Sequence, residues 1–121
     1  MTIAVDFDGT VVKFAFPRIG EDIGAVPVLK KIIEKGHKSI LLTMRSDNTL
    51  EEAVEWYRKN EIPLYGVNRN PSQWTWTKSK KDHADVYIDD QALGAPLIME
   101  NGRGYIDWNI VEETLKKKGI I

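Results

Sequence analysis

The segment Val5-Asp6-Phe7-Asp8-Gly9-Thr10 sets two carboxylates two residues apart, directly after the apolar run Ile3-Ala4-Val5. Gly9 permits a turn there and is expected to leave backbone N–H groups free to approach an anion. Asp-Gly sequences also serve as plain turns and caps, so the pair alone is ambiguous. A second acidic pair, Asp89-Asp90, follows the apolar run Val86-Tyr87-Ile88. Four carboxylates at one rim repel one another unless a counter-ion sits among them. A hard, oxygen-liganded cation resolves this, and Mg²⁺ suits a site that handles phosphates. Thr43 ends another apolar run, Ser39-Ile40-Leu41-Leu42-Thr43, with Met44 and Arg45 next in the chain. A cation, basic side chains, a hydroxyl and N–H groups together form a receptor for a phosphoryl group.

These clusters converge only if the elements before them lie side by side. Residues 2–7 read as a short buried strand. A helix is expected from about Pro27 to Lys35, with Pro27 in its first turn and Gly36 in the left-handed position past its end. Residues 39–43 read as a second strand. A helix from about Leu50 to Asn60 follows, with Thr49 as its cap and Glu51 and Glu52 in its first turn. Leu64–Val67 and Val86–Ile88 read as two more strands, and residues 97–106 as a ribbon turned at Glu100-Asn101-Gly102. Asp107 caps a last helix, whose C-terminal end is complemented by Lys116, Lys117 and Lys118 and stopped by Gly119. Strands alternating with amphipathic helices imply an α/β fold: a mainly parallel sheet with helices on both faces. Ligands bind such sheets at the carboxyl ends of the strands, where Asp6/Asp8, Thr43/Arg45 and Asp89/Asp90 all fall.

The chain resembles the haloacid dehalogenase superfamily of phosphohydrolases over most of its length, and looks most like small bacterial and phage-type members. Asp6, Asp8 and Thr10 match that superfamily's Asp-x-Asp-x-Thr motif, Thr43 its strand-ending hydroxyl, and Asp89-Asp90 its late acidic pair. The motif lysine falls among Lys78, Lys80 and Lys81; in the members it most resembles, Lys81 holds the place. The resemblance implies a three-layer Rossmann-like fold and a two-step displacement. Asp6 attacks phosphorus, and Asp8 acts as general acid and then base. Mg²⁺ is held by Asp6, Asp89 and the Asp8 backbone carbonyl, with Asp90 a ligand through water or an outer acceptor. Thr43 and Lys81 hold phosphoryl oxygens. Gly9, Met44 and Arg45 are substrate-side candidates. Arg45 has an alternative as a surface arginine paired with Glu51 or Glu52. The gaps between motifs hold a short flap and a loop, with no room for a cap domain.

The whole chain, residues 1–121, is expected to be one such domain. It has no cysteine, which excludes disulfide, thiol and Cys-zinc chemistry. Its 17 basic and 18 acidic residues leave no broad basic footprint for nucleic acid and no polybasic membrane anchor. No apolar run approaches the roughly 20 residues that span a bilayer. A soluble cytoplasmic protein is expected, acting on a small or large molecule with an accessible phosphate. An open site invites cover from a second copy of the chain. The loop Pro71–Thr77 carries Trp74 and Trp76. The plain reading folds both back on their own domain; the functional one stacks one of them on a leaving group or a neighbouring subunit. Two rival functions share the scaffold: a phosphoacceptor signalling domain of the receiver type, and a non-catalytic binding domain. A receiver's acceptor aspartate lies mid-chain, whereas here the acidic pair comes first.

Overall fold

The computed structural model describes residues 1–121. Strands β1 (Thr2–Val5), β2 (Lys38–Leu41), β3 (Gly66–Val67) and β4 (Val86–Ile88) form one parallel sheet in the order β3-β2-β1-β4. Helices α1 (Ala25–Glu34) and α2 (Asp47–Lys59) are the first two crossovers. Strands β5 (Leu97–Glu100) and β6 (Arg103–Ile106) form a separate antiparallel hairpin, followed by α3 (Trp108–Lys117). No helix is long and apolar enough to cross a membrane.

The core explains the layering. Ile3 and Val5 of β1 and Leu41 of β2 join Val28, Leu29 and Ile32 of α1, Ala53 and Tyr57 of α2, and Trp108, Val111 and Leu115 of α3 in one buried cluster. Alternation along the strands sends Ala4 and Ile40 to the other face. There they meet Ala84, with Leu42 and Tyr65 against them, and no α-helical side chain takes part. All three α-helices thus serve one core, and the expected pair of helical layers is corrected. The β3–β4 crossover is the connection that carries Ala84, and its sequence has no 3.6-residue apolar period. It forms only a short 3₁₀ helix, Pro71–Thr75.

That crossover is built on amides. Gln73 is buried; its Nε2 donates to the carbonyls of Ser79 (3.0 Å) and Lys81 (2.8 Å), and its Oε1 accepts the His83 N–H at 2.7 Å. Buried Asn70 accepts the Ser72 N–H and donates to the His83 carbonyl, both at 3.0 Å. With polar side chains inside, the aromatics face out. Trp74 and Trp76 are 59% and 65% exposed, so the reading that folded them back into the domain is corrected.

Other boundaries moved for local reasons. Helix α2 starts at Asp47 with Ser46 as its N-cap, not at Leu50. Thr49 is the third helical residue; its hydroxyl accepts the Ser46 N–H and donates back to the Ser46 carbonyl. Glu51 and Glu52 therefore lie beyond the first turn, where Asp47 sits. Strand β3 keeps only two residues of the expected four. The Asp107 cap and the turn at Asn101-Gly102 are as expected.

The amide-built crossover yields a stability contrast. Gln73→Ala should cost roughly 2–4 kcal/mol, since three backbone groups lose the bonds that a buried amide supplies. Trp74→Ala and Trp76→Ala should each stay within about 0.5 kcal/mol. Urea unfolding midpoints of the three variants check this.

Candidate functional site

Strand register brings the acidic clusters together. Val5 of β1 pairs with Ile88 of β4 and with Leu41 of β2. The next residues, Asp6 and Asp89, therefore emerge from neighbouring strands about 4.8 Å apart. Carboxylate oxygens of Asp6, Asp89 and Asp90 lie within 4.8 Å of one another. The strand order reverses between β1 and β4, the place where open α/β sheets bind ligands.

The Asp6–Thr10 loop is held from several sides. Gly9 has φ +81°, and a Cβ there would sit 2.4 Å from Asp90 Oδ2, so only glycine lets Asp90 approach. The Thr10 hydroxyl is buried between the carboxylates, 2.8 Å from Asp6 Oδ2 and 3.2 Å from Asp90 Oδ1, and accepts the Asp90 N–H at 3.1 Å. Trp108 Nε1 donates to the Thr10 carbonyl at 2.7 Å, and the Ile106 N–H to the Gly9 carbonyl at 3.1 Å. Gly9's own N–H donates to Val12, while those of Thr10 and Val11 donate to Phe7. These three N–H groups are committed internally, so the glycine turn does not free them for an anion.

Electrostatics at the cluster are unrelieved. None of the three carboxylates forms an ion pair. Burial, and then the charge of Asp89, raise Asp6 from 3.8 to about 7, against a lowering by the Thr10 hydrogen bond. A divalent cation fits this donor set: three hard carboxylate oxygens, close enough to share it and otherwise uncompensated. Tyr57, buried nearby, has a hydroxyl without a hydrogen-bond partner, and its ionisation is driven upward by burial and by the Asp6 charge.

Arg45 is neither a surface residue nor a partner of Glu51 or Glu52. It is 3% exposed and grips Asp8 with two bonds, Nε to Oδ2 at 2.8 Å and Nη2 to Oδ1 at 2.7 Å. Its other N–H groups donate to the carbonyls of Pro17 (3.2 Å), Thr49 (3.1 Å) and Arg18 (2.8 Å). A guanidinium has five N–H donors, so all are used. That corrects its assignment as a phosphate ligand.

The site opens into a cleft of about 260 Å³ lined by Asp6, Asp8, Thr43, Met44, Arg45 and Asp90, together with Phe14, Phe16, Gln91 and Arg103. The Thr43 hydroxyl accepts the Arg45 N–H at 3.1 Å, which leaves its own O–H to donate. Met44 is fully exposed at the rim. Lys81 does not line the cleft: it is exposed, with its ammonium 6.0 Å from the Tyr87 ring centroid. Phe14, Phe16 and Arg103 escaped sequence reasoning, since the flap has no clean period and the fold-back of the hairpin onto the cleft is recorded in no local pattern.

No protein-family model and no curated protein matches the chain. A solved structure, described as that of a conserved protein coded by a locus of Bacteroides thetaiotaomicron, superposes with a TM-score of 0.80 at 41% identity. The match covers 98% of this chain and 91% of the other.

Two outcomes follow from the charges. Asp6 binds a proton in the folded, metal-free protein up to about pH 7 but loses it near 3.8 when unfolded, so rising pH across that window destabilises the metal-free form. A Mg²⁺ ion taken up by this trio would have to displace that proton. Its apparent affinity should rise about tenfold per pH unit below pH ~7 and level off above, with about one proton released per ion at pH 6. Calorimetry in buffers of different ionisation enthalpy measures both. Separately, Arg45→Ala should cost about 3–5 kcal/mol by leaving Asp8 and three carbonyls without a donor. Arg45→Lys should recover little, having three donors in place of five.

Proposed function

We propose that this chain, which belongs to the same family as the conserved Bacteroides thetaiotaomicron protein, is a magnesium-dependent hydrolase of phosphate monoesters that works through an aspartyl phosphate on Asp6. The observation that carries this reading is the uncompensated trio Asp6, Asp89 and Asp90 at the ends of two adjacent strands, beside a Thr-lined cleft. The reading agrees with the resemblance to the haloacid dehalogenase superfamily. The absence of a cap domain in the fold suits an open site.

The carboxylates of Asp6, Asp89 and Asp90 would hold Mg²⁺, which would supply charge that offsets the phosphoryl oxygens and would keep Asp6 ionised at neutral pH. The chain's own residues do the rest. The Asp6 carboxylate attacks phosphorus; its bond to phosphorus forms as the ester P–O bond breaks, and Asp8, which enters the step in its protonated form, gives that proton to the departing oxygen. Asp8 then takes a proton from water, which attacks the acyl phosphate and regenerates the Asp6 carboxylate. Arg45 keeps Asp8 aimed by its two-point grip. The Thr43 hydroxyl donates to a phosphoryl oxygen, and Thr10 orients Asp6.

A generic phosphate ester tests the reading. EDTA should abolish turnover and Mg²⁺ restore it; undiminished activity in metal-free buffer would sink it. Asp6→Asn should lose nearly all activity. Asp8→Asn should fall by about 10²–10⁴-fold, most with leaving groups of high pKa. A single phosphorylation without repeated turnover would favour the receiver-type alternative.

A further inference from the structure

A phosphoryl dianion entering a cleft lined by three carboxylates, Asp6, Asp8 and Asp90, needs positive charge from the chain as well as from an ion. Two cationic side chains line the cleft, Arg45 and Arg103. Arg45 has no donor left, because Asp8, Pro17, Thr49 and Arg18 take all five. Arg103, on β6, is different: no carboxylate lies within ion-pair distance of it. Its cross-strand neighbour is Glu100, the expected partner on an antiparallel ribbon. Glu100 is instead drawn to Lys13 of the flap, whose ammonium reaches both its carboxylate oxygens at 2.9 and 3.2 Å. The Lys13 bond leaves the arginine uncompensated. Meanwhile the guanidinium carbon of Arg103 lies 3.5 Å from the centroid of the Phe14 ring, also a cleft residue. The ring contact fixes the group at the cleft, and its N–H fork has no acceptor in the protein, so it is open to meet phosphate at two points.

The lysines of the crossover do not compete for this position. Lys81 stands over Tyr87, and Lys78 and Lys80 line a separate polar cavity of about 190 Å³ with Arg69 and Trp74.

We propose that Arg103 is the phosphoryl-binding cation of the cleft, clamped by Phe14 and kept free by the Lys13–Glu100 pair. The proposal rests on the phosphohydrolase reading for its substrate, though not for its anion site. Arg103 touches the phosphoryl oxygens directly, while Phe14 acts as a positioning residue.

The test combines kinetics on a generic phosphate ester, product inhibition by inorganic phosphate, and calorimetry of inorganic phosphate with Mg²⁺ present. Arg103→Ala should raise KM and the inhibition constant of phosphate by about tenfold or more, the size of a lost charge-assisted contact. Arg103→Lys should recover part of the loss. Phe14→Leu, which keeps an apolar side chain but removes the stacking ring, should raise both constants several-fold with less effect on kcat. Lys80→Ala and Lys81→Ala should stay within about twofold of wild type. Unchanged constants in Arg103→Ala, or a larger loss in Lys81→Ala, overturns the proposal. If wild type hydrolyses no ester, the hydrolase reading falls and calorimetry alone judges Arg103: phosphate binding lost in Arg103→Ala supports it, and binding retained overturns it.

Discussion

A guanidinium shut away from water must find an acceptor for each of its five N–H groups, or it costs several kcal/mol. Arg45 meets that demand by gathering Asp8 from the end of β1, Pro17 and Arg18 from the flap, and Thr49 from the first turn of α2. Three segments, two of them distant in sequence, are thereby held around one side chain. Phe7 and Phe16 approach the same guanidinium at 5.1 and 5.2 Å, closing it off from solvent. The flap that stands beside the acidic cluster is held from two sides, by these polar bonds to Arg45 and by Val12, Ile19 and Ile23 in or against the core. Phe14 and Phe16 reach the cleft because this anchor fixes the turn that carries them.

Asp6, Asp89 and Asp90 present the opposite condition. One buried ion pair is saturated, while its neighbours are left as a cluster of negative charge with no protein cation among them. Folding tolerates this because Asp6 takes up a proton, as its rise to about 7 indicates. A local conflict of that kind lowers stability and persists where it serves binding. The same contrast separates the two arginines of the cleft. One is consumed in structure. The other is stacked on a ring and released from its acidic neighbour by a competing lysine.

The second face of the sheet shows how a polar connection can replace a helix. Ala4, Ile40 and Ala84 form a cluster of only three buried residues, covered with Leu42 and Tyr65 and without a broad apolar stripe. The crossover is organised from within by Gln73 and Asn70, whose amides satisfy backbone groups that a helix would satisfy by itself. Trp74 and Trp76 are then left outside, next to Arg69 and His83 respectively.

Sequence alone determined the strands, the helices and their parallel arrangement, because these depend on local periodicity, caps and glycines such as Gly36 and Gly119. It also determined that Asp6, Asp8, Thr43, Asp89 and Asp90 would gather, since residues following the strands of a parallel sheet share one edge. Only the tertiary structure decided which side chains those groups meet. Arg45 was legible as a residue of the site, but its saturation by flap carbonyls depends on contacts across 27 and 28 positions, which no local pattern records. The placement of Lys81 outside the cleft and of Arg103 within it depends on where a loop and a hairpin fold back. The exposure of Trp74 and Trp76 was decided by two buried amides that read in sequence as ordinary loop residues. Hydrogen-bond partners and ion pairs chosen over long separations are set by packing, and a linear pattern carries only the short separations.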